Sequence, residues 1–153
     1  MERVVKLEIP ARPEFVGIAR MAVGALAGIR PGLAYERIDD LRIVVSEACT
    51  SAIEVLEPGA TLRVRCVDAP KVLEVRIEAP SGAFDSAFPA TPAEGADGPD
   101  GESFRISLIR ALVDDAEVRT SPGKTELCLV LHRSAEADDL DDDLDDDQTI
   151  GQG

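Results

Sequence analysis

The longest helical pattern in the chain runs from Glu36 to Leu56. Apolar residues recur in it at steps of three or four, which places them in one stripe along an α-helix; they are Ile38, Leu41, Val45, Ala48, Ala52 and Val55. At about 100° per residue, Asp40, Val44, Glu47 and Ser51 fall on a neighbouring, more polar face. Glu47 and Ser51 lie one turn apart on that face, where both can address one ligand. The segment therefore predicts a core helix with a carboxylate beside its buried stripe.

Shorter patterns predict two more helices and five strands. Pro10 and Pro13 mark the end of a strand and the first turn of a helix, because proline suits that turn and not a strand interior. This helix should end before Gly28, and its apolar stripe is Phe15, Ile18, Ala19, Ala22, Val23 and Leu26. Another helix is predicted over Ser103–Val113. Alternating apolar and polar positions predict the strands, which are Val4–Ile9, Thr61–Val67, Val72–Ile77, Glu117–Thr120 and Glu126–His132.

This order of elements predicts an α+β fold. Two of the strand pairs are close enough in sequence to form hairpins, one across residues 68–71 and one through Pro122-Gly123. Helices packed on one face of a mainly antiparallel sheet are the usual outcome of such an order. The 153 residues suffice for one domain with a real core.

A long connection, residues 79–102, is rich in proline and glycine. Connections beyond about 12 to 15 residues are usually functional lids or segments without fixed structure. A lid needs glycines to absorb backbone change, and an untethered surface loop has the same composition. Both interpretations stay open.

Charge divides the chain into a body and a tail. The net charge is −14, and residues 135–153 hold nine acidic residues and no basic ones, which leaves about −5 for the rest. Such a run buries too little apolar surface to order itself. We therefore expect one domain over residues 1–133 and a disordered acidic tail over 134–153, which either solubilises the protein or binds a partner.

Cysteine usage and apolar runs exclude several classes of protein. Cys49, Cys66 and Cys128 lie inside apolar segments without CxxC spacing, so we expect buried thiols and neither a metal site nor disulfides. No apolar run approaches the roughly 18 residues of a membrane span, and the first residues do not form a signal sequence. A cytoplasmic location without membrane contact is expected. Direct nucleic-acid binding is disfavoured by the negative charge and the lack of a basic stripe.

The predicted core helix also carries a recognisable motif. Ser46-Glu47-Ala48-Cys49-Thr50-Ser51-Ala52-Ile53 resembles the S-E-A-x-T-N-A-I box of the RsbW/SpoIIAB anti-sigma factors, which belong to the GHKL ATPase superfamily. The resemblance covers roughly residues 4–133 and implies a two-layer α/β sandwich of the GHKL (Bergerat) type. In that family the glutamate is the base of a serine kinase and the asparagine binds magnesium. Glu47 is thus the candidate catalytic residue, and Ser51 replaces the asparagine.

The other nucleotide boxes of the family are altered in this chain. The family's D-x-G-x-G aligns with residues 79–83, so Ala79 replaces the aspartate that binds adenine, and Ser81 and Ala83 replace glycines that let the backbone approach phosphate. The next box, G-x-G, aligns with residues 103–105, where Ser103 and Arg105 replace the glycines. Thr125 retains the last, weakly specific element. An ordinary ATP site is therefore not expected, although the Ser51 hydroxyl could hold magnesium through water and Arg105 could supply charge to a phosphate.

The resemblance implies two alternative functions. In the first, the protein is an anti-sigma factor that binds a sigma factor and a STAS-domain anti-anti-sigma factor, as a homodimer and without a cofactor. In the second, it is an active serine protein kinase that uses ATP and magnesium, with Glu47 as general base. Arg20 matches an arginine that this family presents to partners; alternatively, its stem covers the core and its head stays in water.

Overall fold

The computed structural model of the protein describes residues 1–85 and 101–134, and for residues 101–104 it describes the backbone alone. In chain order the elements are β1 (Arg3–Pro10), a 3-10 turn (Pro13–Phe15), α1 (Val16–Ala27), α2 (Tyr35–Val55), β2 (Thr61–Asp68), β3 (Val72–Pro80), α3 (Gly101–Leu112), β4 (Asp115–Ser121) and β5 (Lys124–His132). The predicted α+β order is confirmed, and the predicted element bounds agree within two residues at nearly every end.

The five strands form one antiparallel sheet in the order β1-β2-β3-β5-β4. Both predicted hairpins are present, β2 with β3 and β4 with β5. The second hairpin turns through Pro122-Gly123, where Gly123 has a φ of +80° that a residue with a side chain rarely adopts.

Helices cover one face of the sheet, and the core lies between these two layers. Strand residues alternate, so that Leu62, Val64, Val75, Ile77 and Leu127 point into the core. The opposite face carries charged side chains, including Arg63 with Glu8 at 3.5 Å and with Glu78 at 3.7 Å. This arrangement confirms the prediction of helices on one face of a mainly antiparallel sheet.

The central helix α2 is buried over a wider arc than its sequence predicts. Val44, which the helical wheel assigns to the polar face, is fully buried, whereas Val55 is 53% exposed. Val44 is buried because α2 packs against α1, α3 and β3 at once. The predicted stripe of α1 is likewise wrong at Ile18, which is 48% exposed.

Two boundaries differ from the predicted long loop. Strand β3 continues through Ala79 to Pro80, and α3 begins at Gly101, so the connection is shorter than residues 79–102 at both ends. Residues 86–100, which form most of that predicted lid or loop, lie outside the described residues. The predicted acidic tail also lies outside them from residue 135 onward.

All three cysteines are buried free thiols, as predicted. Burial raises the pKa of Cys49 to about 12 and that of Cys66 to about 11. Among the described helices, none is long and apolar enough to cross a membrane.

Candidate functional site

Three polar side chains share one face of α2. Glu47, Ser51 and Glu54 are spaced by four and three residues, which stacks them along the helix. Ser51 is only 6% exposed, whereas the side chains of Glu47 and Glu54 are 36% and 54% exposed. The face therefore presents two carboxylates around a sheltered hydroxyl.

Arg105 of α3 reaches across to this face. Its guanidinium contacts Glu54 with two hydrogen bonds, Nη1 to Oε2 at 2.8 Å and Nη2 to Oε1 at 3.0 Å. Nη1 also donates to Ser51 Oγ at 3.4 Å, and Nε lies 3.6 Å from Glu47 Oε2. A bidentate guanidinium–carboxylate pair fixes the orientation of both groups. Arg105 therefore bridges all three polar positions of the α2 face.

The ion pair changes the titration of Glu54. The hydrogen bond from Arg105 and its positive charge lower the pKa of Glu54 despite some opposing desolvation. The lowered pKa extends the pairing of Glu54 with the guanidinium to more acidic solution.

The second part of the site lies where β3 ends and β5 begins. Ala79 pairs with Thr125 in the sheet register, and both are buried on the helix-facing side. The Thr125 hydroxyl oxygen is buried and has no hydrogen-bond partner among the described residues. After β3 the chain turns through residues 81–85, with Gly82 at a φ of +88°. In this turn the side chain of Ala83 is fully buried, whereas Ser81 is exposed.

Two predicted residues occupy other places. Ser103 lies inside α3, because that helix begins at Gly101. The box aligned with residues 103–105 is therefore part of the helix. Arg20 is exposed on α1, and no contact among the described side chains joins it to Arg105 or to the α2 face. The structure thus brings together Glu47, Ser51 and Arg105, pairs Ala79 with Thr125, and leaves Arg20 apart.

The chemistry of these residues disfavours a magnesium–nucleotide complex. Magnesium prefers several oxygen ligands, but the Glu47 carboxylate already faces a guanidinium, whose charge repels a cation. Ala79 offers adenine a methyl group in place of a carboxylate. The Thr125 hydroxyl, which has no partner among the described residues, is typical of a ligand-facing group. Within residues 1–85 and 105–134, no cluster of three or more histidine, cysteine, aspartate or glutamate side chains could hold a metal ion.

Sequence reasoning missed Glu54, which makes the strongest contacts to Arg105. The signal was available, because Glu54 follows Ser51 by three residues and Glu47 by seven, which are helical spacings. Nothing in the sequence, however, places α3 against the C-terminal half of α2. The pairing depends on the tertiary packing of these two helices.

Comparison with known proteins agrees with the fold. Residues 9–131 match the histidine kinase-like ATPase domain family. The chain is 33% identical to the serine-protein kinase RsbW of Bacillus pumilus over 133 residues, which cover 80% of this chain and 82% of that protein. It is 30% identical to the RsbW of Bacillus subtilis strain 168 over 130 residues, 79% and 81% of the two chains. The RsbW of Listeria monocytogenes serovar 1/2a is 32% identical over 132 residues, 80% and 83% of the two chains. A match over most of the chain, together with the antiparallel sheet and its three helices, shows that this protein belongs to the histidine kinase-like ATPase domain family.

Proposed function

We propose that the protein is an anti-sigma factor that sequesters an RNA polymerase sigma factor without efficient ATP binding, and that a STAS-domain anti-anti-sigma factor releases it. The observation that carries the proposal is the position of Arg105, which places a fixed positive charge against Glu47 and Ser51. The similarity to RsbW proteins supports a partner-binding scaffold. A scaffold can keep its docking surfaces after its site has changed, because fold and site are separable.

The expected loss of nucleotide affinity is large. Ala79 lacks the hydrogen bond that an aspartate would give to adenine, and Ser51 lacks the amide oxygen of an asparagine. A lost hydrogen bond to a charged or buried group costs roughly 1.5–3 kcal/mol, and a tenfold change in affinity corresponds to about 1.4 kcal/mol. Two such losses convert a micromolar site to about millimolar or weaker.

Calorimetric titration of the full chain with ATP, with and without magnesium, tests the absence of efficient binding. We expect no saturable heat up to about millimolar nucleotide. Saturable binding in the low micromolar range, strengthened by magnesium, would overturn this part of the proposal.

The partner part of the proposal is tested with Arg20. This side chain is exposed, and no carboxylate of the described residues lies within ion-pair distance of it. We expect Arg20→Ala to weaken the complex with a sigma factor of the source organism by tenfold or more, about 1.4 kcal/mol. Arg12→Ala is the matched control, because Arg12 is also exposed and pairs with its near neighbour Glu14. If the unmodified chain formed no complex with any sigma factor in size-exclusion chromatography, the anti-sigma proposal would fail.

The proposal includes a homodimer, one domain over residues 1–133 and an acidic tail beyond it. The exposed edge strand β1 supports a dimer, since Val4 and Val5 are each 43% exposed on it and unpaired sheet edges favour association. Light scattering of the full chain measures the mass directly, and a monomer at micromolar concentration would contradict this part.

A second candidate function is an active serine protein kinase. Two observations favour it: Glu47 keeps a partly exposed carboxylate, and the Thr125 hydroxyl lacks a partner among the described residues. The test is incubation with labelled ATP, magnesium and the STAS antagonist. Phosphate transfer that is lost in Glu47→Ala and kept in Glu36→Ala, an exposed glutamate of the same helix, would establish the kinase. Absence of transfer with the unmodified chain would exclude it.

A further inference from the structure

Four segments that are distant in sequence meet at one buried carboxylate. Asp68, the last residue of β2, is fully buried. It accepts hydrogen bonds from Arg133 Nη2 at 2.5 Å and from Arg30 Nε at 2.8 Å. Arg3 adds two more through Nη2 at 2.9 Å and Nε at 3.2 Å. We call Asp68 and these three arginines the arginine pole.

The arginine pole carries an excess of positive charge. Three guanidinium groups face a single carboxylate, and no other carboxylate of residues 1–85 or 105–134 forms an ion pair with them. The Arg133 side chain is only 1% exposed, because its Nη1 donates to the carbonyls of Ala27, Arg30 and Pro31. The side chains of Arg3 and Arg30 are 43% and 21% exposed. Arg3 and Arg30 therefore present the excess charge to solvent, while Arg133 is sealed inside.

The last described residues before the acidic segment lie at this same place. Arg133 N donates to Lys71 O at 2.9 Å, and Ser134 N donates to Gly32 O at 2.8 Å, two residues after Arg30. The next residues of the chain include Glu136, Asp138 and Asp139, the first of nine acidic residues. A high density of negative charge is thus tethered within a few residues of an excess of positive charge.

We propose that carboxylates of residues 136–147 bind the guanidinium groups of the exposed Arg3 and the partly exposed Arg30. The occupant is this chain's own acidic segment, recognised by charge and by the fork geometry of arginine with carboxylate. Tethering through a few residues gives an effective concentration on the order of millimolar, so even weak pairing is populated. The body's own net charge of about −5 opposes this docking, but at about 0.1 M salt the distant charges are screened over roughly 10 Å.

Docking would cover the α1–α2 connection and the start of β1. An anionic partner that approaches these arginines would have to displace the segment first. The proposal does not depend on sigma-factor binding or on the state of the nucleotide site.

Side-chain NMR of the arginine Nε–H groups in the full chain tests the proposal. The comparison variant has Asn or Gln at all nine acidic positions of residues 135–153, so the chain length is unchanged. We expect the Arg3 and Arg30 signals to differ between the two proteins at about 0.1 M salt and to coincide near 1 M, where the Debye length is about 3 Å. Arg12 and Arg63 are internal controls, because both are exposed and pair with carboxylates elsewhere. Equal shifts at all four arginines, or no shift at Arg3 and Arg30, would overturn the proposal.

A spin label gives an independent measurement. The three native cysteines are buried. A thiol-reactive nitroxide should therefore label the introduced cysteine of Gln148→Cys alone. Broadening of the backbone amide signals of residues 3 and 30 should be greater with the acidic segment than with the neutralised one of equal length. It should also fall in Arg3→Gln/Arg30→Gln and persist in Arg12→Gln/Arg63→Gln. Equal broadening with the acidic and neutralised segments would refute the proposal, because tethering alone would then explain the proximity.

Discussion

Replacement of Asp68 by asparagine should destabilise the protein strongly. The asparagine side chain keeps the shape of the aspartate, but it removes the one negative charge shared by Arg3, Arg30 and Arg133. The new amide group must also point an N–H donor at one of the guanidinium groups. Arg133 cannot escape to water, since its side chain is 1% exposed.

The size of the loss follows from burial. Removing one partner of a buried ion pair costs about 3–5 kcal/mol, because the other charge stays buried without compensation. We expect the lower end, about 3 kcal/mol, since the asparagine carbonyl retains part of the hydrogen bonding. For a domain of this size that corresponds to a fall in Tm of roughly 10 °C.

Urea denaturation of Asp68→Asn and the unmodified chain measures this difference. Asp39→Asn is the matched control, because Asp39 pairs with Arg42 at 2.8 Å but is 57% exposed, and exposed pairs contribute at most about 1 kcal/mol. A loss below about 1 kcal/mol for Asp68→Asn, or one equal to the control, would refute the reasoning.

The effect has a definite dependence on pH. Burial by itself would raise the pKa of Asp68, but hydrogen bonds from Arg30 and Arg133 and their charges lower it below its usual value. The unfolded carboxyl titrates at about pH 4, so the stabilisation is complete above that pH. It is lost as the pH falls from there through the lower pKa of the folded state. The stability difference between the two proteins should therefore be constant from about pH 5 to 8 and shrink only in more acidic solution.

Three further predictions concern other sites. Gly32→Ala should cost more stability in urea denaturation than Gly59→Ala. Both glycines have positive φ, but an added Cβ at Gly32 lies 3.0 Å from Arg133 Cβ, whereas one at Gly59 meets nothing within 4 Å. Equal losses of about 1 kcal/mol, the cost of the backbone conformation alone, would contradict the contact. Thr125→Val should leave stability unchanged or raise it by up to about 1 kcal/mol, because the buried hydroxyl has no partner among the described residues; a clear loss in thermal denaturation would show that the hydroxyl is satisfied. A thiol reagent at pH 8 should not label Cys49, Cys66 or Cys128 until the protein unfolds. All three thiols are buried, and their pKa values are raised to about 11 or 12. Rapid labelling of the folded chain would contradict this prediction.

Periodicity predicted the elements well because each depends on local spacing. The helix around Glu47 and both hairpins were predicted within one or two residues of their observed ends, except that β3 continues three residues beyond the predicted Ile77 to Pro80. The exposures of Val44 and Val55 were not predicted correctly. A helical wheel assumes that a helix has one buried side, but α2 has neighbours on several sides. The depth to which a side chain is buried thus depends on the packing of the fold and not on the periodic pattern of apolar residues alone.

The candidate site was predicted in part. The sequence predicted that Glu47 and Ser51 share one face of α2, and Arg105 lies against that face. The pairing of Arg105 with Glu54 could not be predicted without knowing how α3 packs against α2. Asp68 was expected in a turn, but it lies buried at the end of a strand. Its three arginine partners are separated by 38 or 65 positions from it, and no spacing rule connects them.

The arginine pole also indicates where the chain could be circularly permuted. Arg3 and Arg133 hold opposite oxygens of one carboxyl group, so two arginine side chains and this carboxylate span the gap between the start of the first strand and the end of the last. A linker of a few residues would join those two points without stretching the backbone. New ends could then open in the exposed hairpin at Pro122-Gly123. The resulting circular permutant would keep every strand neighbour of the parent sheet.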